Sequence, residues 1–165
     1  MMNQSRPKIK ELLDGLNSYL INGYVNESSP EDPENDAFNC LNVLYLIDKE
    51  EGLEYCKLIL DSAIPFNDSL RSTCLYYLLL SENDWKYAFT FLLTSSEKLS
   101  VESLKEAFFY FYCAKNETDP HPVPEWLFKK LISRYQELKD DLDANFYHLH
   151  ETYNDFIQAY ALIPR

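Results

Sequence analysis

Three histidines and four cysteines are the side chains of this chain best suited to hold a metal or attack a carbonyl. Their spacing favours neither. His148 and His150 are two apart, so a helix carrying both points them about 200° from each other and they cannot share an ion. His121 stands between Pro120 and Pro122, with no cysteine beside it. Cys40, Cys56, Cys74 and Cys113 form no C-x-x-C pair, and each falls in an apolar helical pattern. They read as small buried hydrophobes of a reducing compartment. Cys113 could act as a thiol nucleophile with a distant histidine, but between Tyr112 and Ala114 it sits in a buried pattern, which does not activate a thiol. The chain has no G-x-S-x-G, no H-E-x-x-H and no phosphate-cradling loop, and 3 glycines leave little room for one. Carboxylate pairs such as Glu50-Glu51 and Asp140-Asp141 follow from the abundance of acids, and point only weakly to acid/base work. The N-x-S/T triplets at Asn26, Asn67 and Asn116 have meaning only in a secreted protein. The expectation is a non-enzyme with no catalytic residue, no cofactor and no metal.

The placement of the acids says more. Nine of them (Glu27, Glu31, Asp32, Glu34, Asp36, Asp48, Glu50, Glu51 and Glu54) lie between positions 27 and 54, against a single Lys49. The dipole of a helix N-terminus accounts for one or two acids per helix, and the density here exceeds that. Glu82 and Asp84 occupy the equivalent turn of the next repeat, and Glu117, Asp119 and Glu125 that of a third. Lined up by stacking, such turns would form an acidic edge. The second helices carry Tyr55, Lys57, Trp85, Tyr87, Thr90, Trp126, Lys129, Lys130 and Arg134, a set expected on the concave face of a helical solenoid. The competing reading places these aromatics in the core between repeats, because Tyr55 and Tyr87 repeat in register. The expected partner-binding residues are Asp32, Glu34, Asp36, Glu50, Glu51, Glu54, Glu82, Asp84, Trp85 and Tyr87.

What must position these residues is a duplication. Residues 35–66 laid over 67–98 without a gap match at Asn35/Asn67, Asp36/Asp68, Tyr45/Tyr77, Leu46/Leu78, Glu50/Glu82, Tyr55/Tyr87 and Leu60/Leu92. Those seven identities compare with roughly two from average residue usage. A period of 32 with helical patterning is the signature of stacked helical hairpins. The predicted fold is all-α: a right-handed superhelix of hairpins of the HEAT or tetratricopeptide kind, with about eight helices in a single domain spanning 1–165. A cap helix is expected at 8–24, followed by repeats at 33–66, 67–98 and 99–138 and a closing helix at 142–161. Asp48-Lys49-Glu50 should make the first turn, Asn67 or Asp68, Asp84 and Ser100 should cap helices, and Pro65 should end the first repeat. Residues 1–7 should fray, and 26–34 and 116–124 should be loops. The first helices are apolar nearly all round at 43–47, 75–80 and 107–112, so burial on several sides is expected.

Composition narrows the partners. Apolar residues make up 46% and aromatics 15%, enough for a packed core. A net charge of −12 argues against nucleic acid and against an anionic membrane surface, and favours a basic protein partner. The N-terminus has Arg6, Lys8 and Lys10 but no following apolar stretch, so a cytoplasmic protein is expected.

In length, acidity, tyrosine and phenylalanine content and helical-repeat style, the chain resembles the small immunity proteins of bacterial toxin–immunity pairs, including those of contact-dependent growth inhibition. The likeness spans most of the chain but carries no motif, and it transfers no residue roles. It implies a monomer that binds a cognate toxin domain one to one, often a basic nuclease, and occludes its active site. The alternative is a cytoplasmic scaffold or adaptor that holds a peptide or helix of a partner protein.

Overall fold

The computed structural model describes residues 5–26, 32–62, 68–115 and 122–161. Among these the fold is all-α, with helices packed on their neighbours as in helical-repeat proteins. The elements are α1 (Ser5–Asn22), α2 (Pro33–Ile47), α3 (Lys49–Asp61), α4 (Asp68–Leu80), α5 (Trp85–Thr94), a 3₁₀ turn (Ser96–Lys98), α6 (Val101–Lys115), α7 (Glu125–Leu138), α8 (Leu142–Phe146) and α9 (Leu149–Ala161). Contacts divide the chain into two compact units, Met1–Tyr77 and Leu78–Arg165, with the boundary inside α4. Several sequence expectations lie outside the described residues. They are the first four of the residues expected to fray at 1–7, the loop acids Glu27 and Glu31, Pro30, Pro65, Asn67 as a cap, and Asn116 to His121 with Glu117 and Asp119. Residues 5–7, expected to fray as well, already belong to α1.

In the first unit α1 packs on α2, and α2 on α3. α1 stops at Asn22 because Gly23 takes φ +82°, a left-handed conformation that ends a helix. The Ser18 hydroxyl then donates to the Tyr24 carbonyl at 2.7 Å, turning the chain back. Tyr24, expected within the helix, therefore lies beyond it. α2 opens where Asp32 accepts a hydrogen bond from the Asn35 amide at 3.1 Å, with Pro33 in the first turn.

The joint between α2 and α3 is a single residue. The Asp48 amide donates to the Leu44 carbonyl and closes α2, while its carboxylate accepts from the Glu51 amide at 3.2 Å and opens α3. Lys49 and Glu50, expected in the turn, already belong to α3. Gly52 makes so short a joint possible, since a Cβ there would stand 2.8 Å from the Tyr45 Cα.

Leu16, Leu41, Leu44, Cys56 and Ile59 fill the core of this unit, and three tyrosines tie it together. Tyr55, nearly buried, donates to Asn17 Oδ1 at 2.5 Å. Tyr77 donates to Asn42 Oδ1 at 2.5 Å and stacks on Tyr45 with centroids 4.0 Å apart. Cys74 is fully enclosed; burial pushes its thiol well up, and the neighbouring Cys56 adds to the effect.

The second unit opens with the end of α4 and a turn at 81–84. There the Ser81 hydroxyl donates to Asp84 Oδ2 at 2.8 Å, and Asp84 makes no side-chain cap on α5 despite standing in the cap position. Ser100 does cap α6, accepting from the Ser103 amide at 3.1 Å as its position predicts. α6 packs on α7 and α9, around an aromatic core in which Phe108 and Phe156 lie 4.8 Å apart and Tyr135 stacks on Tyr153 at 3.6 Å. The Tyr160 hydroxyl donates to the Phe111 carbonyl at 3.0 Å, and Arg134 Nε donates to the Leu99 carbonyl at 2.9 Å.

The closing helix is not continuous. His148 takes φ +58° and separates α8 from α9, so the helix expected at 142–161 is two. His148 and His150 consequently serve different local contacts. His148 Nδ1 lies 3.5 Å from Glu151, and His150 Nδ1 shares a 2.7 Å hydrogen bond with the Tyr135 hydroxyl.

Candidate functional site

Two surfaces stand out, one in each unit. The first is the α2–α3 corner. α2 buries Ala37, Leu41 and Leu44 along one stripe, which leaves the end of its apolar run turned outward. Leu46 is 83% exposed and Ile47 38%. The all-round burial expected for 43–47 therefore fails, because α1 and α3 cover one stripe of α2 and leave this end open. Tyr76, Leu80 and Phe109 are exposed as well, so the runs at 75–80 and 107–112 also keep an outward side.

α3 continues the corner. Its inward residues are Leu53, Tyr55, Cys56, Ile59 and Leu60, which places Glu50, Glu51, Glu54 and Leu58 outside. Glu54 pairs with Lys57 at 2.9 Å. Lys49, the single cation of the acidic stretch, lays its ammonium 5.9 Å from the centre of the Tyr45 ring. Exposed Leu46 and Ile47 thus lie within a few residues of exposed Glu50, Glu51 and Glu54.

The acids predicted to act together do not all meet. Asp32, Glu34 and Asp36 sit at the start of α2, whereas Glu50, Glu51 and Glu54 begin α3 at the other end of that helix. Fifteen residues of α-helix separate the two groups by about 20 Å. Asp32 is consumed as a cap, and desolvation, reinforced by the half-buried Asp36 and by Glu11, pushes up the Cys40 thiol. Desolvation, reinforced by Glu34, likewise raises the Tyr19 hydroxyl. These three acids thus serve the first turn of α2 and its surroundings.

The second surface is a cleft of about 370 Å³ lined by Trp85, Lys86, Phe89, Thr90, Pro122, Pro124 and Trp126. Trp85 meets Phe89 edge-on at 5.1 Å, and the Lys86 ammonium lies 5.5 Å from the Trp85 ring centre. Tyr87, two residues along α5, points elsewhere and is half-buried, so the structure separates it from Trp85. Glu82 is exposed in the turn before α5, and Asp84 is half-buried against Ser81.

Among the described residues no three His, Cys, Asp or Glu side chains stand where they could hold a metal ion. Among the described acids, Glu106 on α6 has its carboxyl raised by desolvation, with Lys105 lowering it and Glu102 raising it. It lines neither surface. Sequence reasoning missed Leu46, Ile47 and Pro122. Leu46 was hidden by its identity with Leu78, which suggests a packing position, and only the burial of its neighbours reveals otherwise. No family model matches the chain, and no curated protein matches it.

Proposed function

We propose that the chain is a non-catalytic binding module that meets a basic protein partner at the α2–α3 corner. The observation that carries this reading is the pairing of Leu46 and Ile47, exposed at the end of α2, with Glu50, Glu51 and Glu54 at the start of α3. An apolar centre with a charged rim is the usual anatomy of a protein interface. The net charge of −12 adds a field that speeds encounter with a cationic surface and weakens as salt rises. The resemblance to acidic immunity proteins supplies the partner in this reading: a basic toxin domain whose active site the chain occludes in a one-to-one complex.

Co-expression of the chain with the polypeptide encoded beside it tests this. Rescue of growth that is lost in a Leu46→Asp, Glu50→Lys, Glu51→Lys variant of unchanged folding is the expected outcome. Absence of both rescue and a stable complex with that polypeptide would overturn the toxin reading. The adaptor reading rests on a different observation, the tryptophan-lined cleft of the second unit.

A further inference from the structure

We infer that the cleft between α5 and the start of α7 is a docking site for an extended, proline-containing segment of a protein partner that carries one acidic side chain. The chain has two tryptophans, and both line this cleft. Trp126 is 48% exposed, a large apolar side chain held at the surface beside two prolines.

The lining decides the shape of the occupant. Pro122 and Pro124 have no N–H to offer, and the amides of Phe89 and Thr90 lie within α5, where the helix uses them. The site therefore presents ring faces with few backbone donors. A partner strand needs an open edge to pair with, and the described residues contain no strand. A partner helix uses several turns of groove, more than about 370 Å³ provides. A polyproline II segment asks for neither, because its backbone stays solvated and its rings pack on aromatic faces.

Charge decides the side chain. Among the described lining residues Lys86 is the single charged group, exposed and held over Trp85. The nearby Glu125 is engaged by Lys129 at 3.4 Å. A carboxylate on the segment finds a partner in Lys86. The −12 charge of the whole chain disfavours a run of acids, which limits the match to one.

Because both indoles report on the cleft, their emission is a direct assay on the full chain. The probe is a capped Pro-Pro-Glu-Pro-Pro-Pro peptide, compared with the same peptide carrying Lys in place of Glu. A saturable blue shift is expected with the Glu peptide, with the Lys peptide binding about threefold more weakly, as one exposed ion pair allows. Lys86→Glu should reverse that preference. Trp126→Ala, read through Trp85 and checked for folding by circular dichroism, should weaken binding more than tenfold, with Trp126→Phe intermediate. The proposal is overturned if neither peptide gives a saturable shift, or if binding ignores both substitutions. A saturable response to benzoate with none to the peptides also overturns it, and makes the cleft a small-molecule site.

Discussion

Leu46 and Leu78 are the same residue at the same position of a repeated unit, and one is 83% exposed while the other is fully buried. The next position behaves alike: Ile47 is 38% exposed, and its counterpart Leu79 is 2%. The local chain differs just beyond them. After Ile47 one residue, Asp48, closes α2 and opens α3, and Gly52 lets the two helices approach. After Leu79 the helix ends at Leu80, and residues 81–84 intervene before α5 begins at Trp85. In the frame of the repeat, α3 starts at position 49 and α5 at the equivalent of position 53. Identity in a repeat thus preserves a helix without preserving which of its faces is covered. Leu46 and Ile47 are consequently left as adjacent exposed apolar side chains at the end of α2.

Truncation of the two leucines separates the copies most strongly. Leu78→Ala should cost about 2–5 kcal/mol of stability in urea denaturation, the usual range for a buried leucine. Leu46→Ala should stay within about 0.5 kcal/mol of the parent. Equal losses would mean that the corner is packed and the contrast false.

The joint gives the next largest effect. Gly52→Ala places a Cβ 2.8 Å from the Tyr45 Cα, on backbone that cannot swing aside, and should cost about 1–3 kcal/mol. The aligned Asp84→Ala loses the hydrogen bond from Ser81 and should cost about 1 kcal/mol. A harmless Gly52→Ala would show that the close joint is not a constraint. Asp48→Ala removes the cap on the Glu51 amide and should also cost about 1 kcal/mol, read as a lower thermal midpoint.

The smallest effect contrasts the exposed acids of the corner with Glu106. Burial raises this carboxyl above its unfolded value, so the folded state holds a proton more tightly than the unfolded one. Stability from this group is therefore greatest at low pH and declines as pH rises from the unfolded value of about 4.3 through the folded one. Glu106→Gln should gain up to about 0.5 kcal/mol at pH 7, discounted for partial exposure, and the gain should vanish below about pH 4. A gain that persists at low pH would assign the effect to packing.

Much of this architecture is legible in the sequence. Apolar spacing gives α2 its limits at Pro33 and Ile47, and Ser100 marks the start of α6. The duplication aligns Tyr45 with Tyr77, and the two stack on each other. Other features depend on information that periodicity does not hold. The break at His148 lies within an apolar spacing, Phe146, Leu149, Tyr153, Phe156, that continues across it. The acids at 32–36 and 50–54 read as one dense stretch, yet the length of α2 between them sends them to its opposite ends. The cleft brings Trp85 together with Trp126, 41 positions apart, and depends on where Pro122 and Pro124 place the start of α7.

Binding of a basic partner at the α2–α3 corner is open to direct measurement. Its most direct test is the affinity of the co-encoded polypeptide for the parent chain and for the Leu46→Asp, Glu50→Lys, Glu51→Lys variant, measured at low and high salt. Binding at least tenfold weaker in the variant at low salt is expected, with a flatter salt dependence and an unchanged circular dichroism spectrum. Equal affinity and equal salt dependence in the two chains would contradict it.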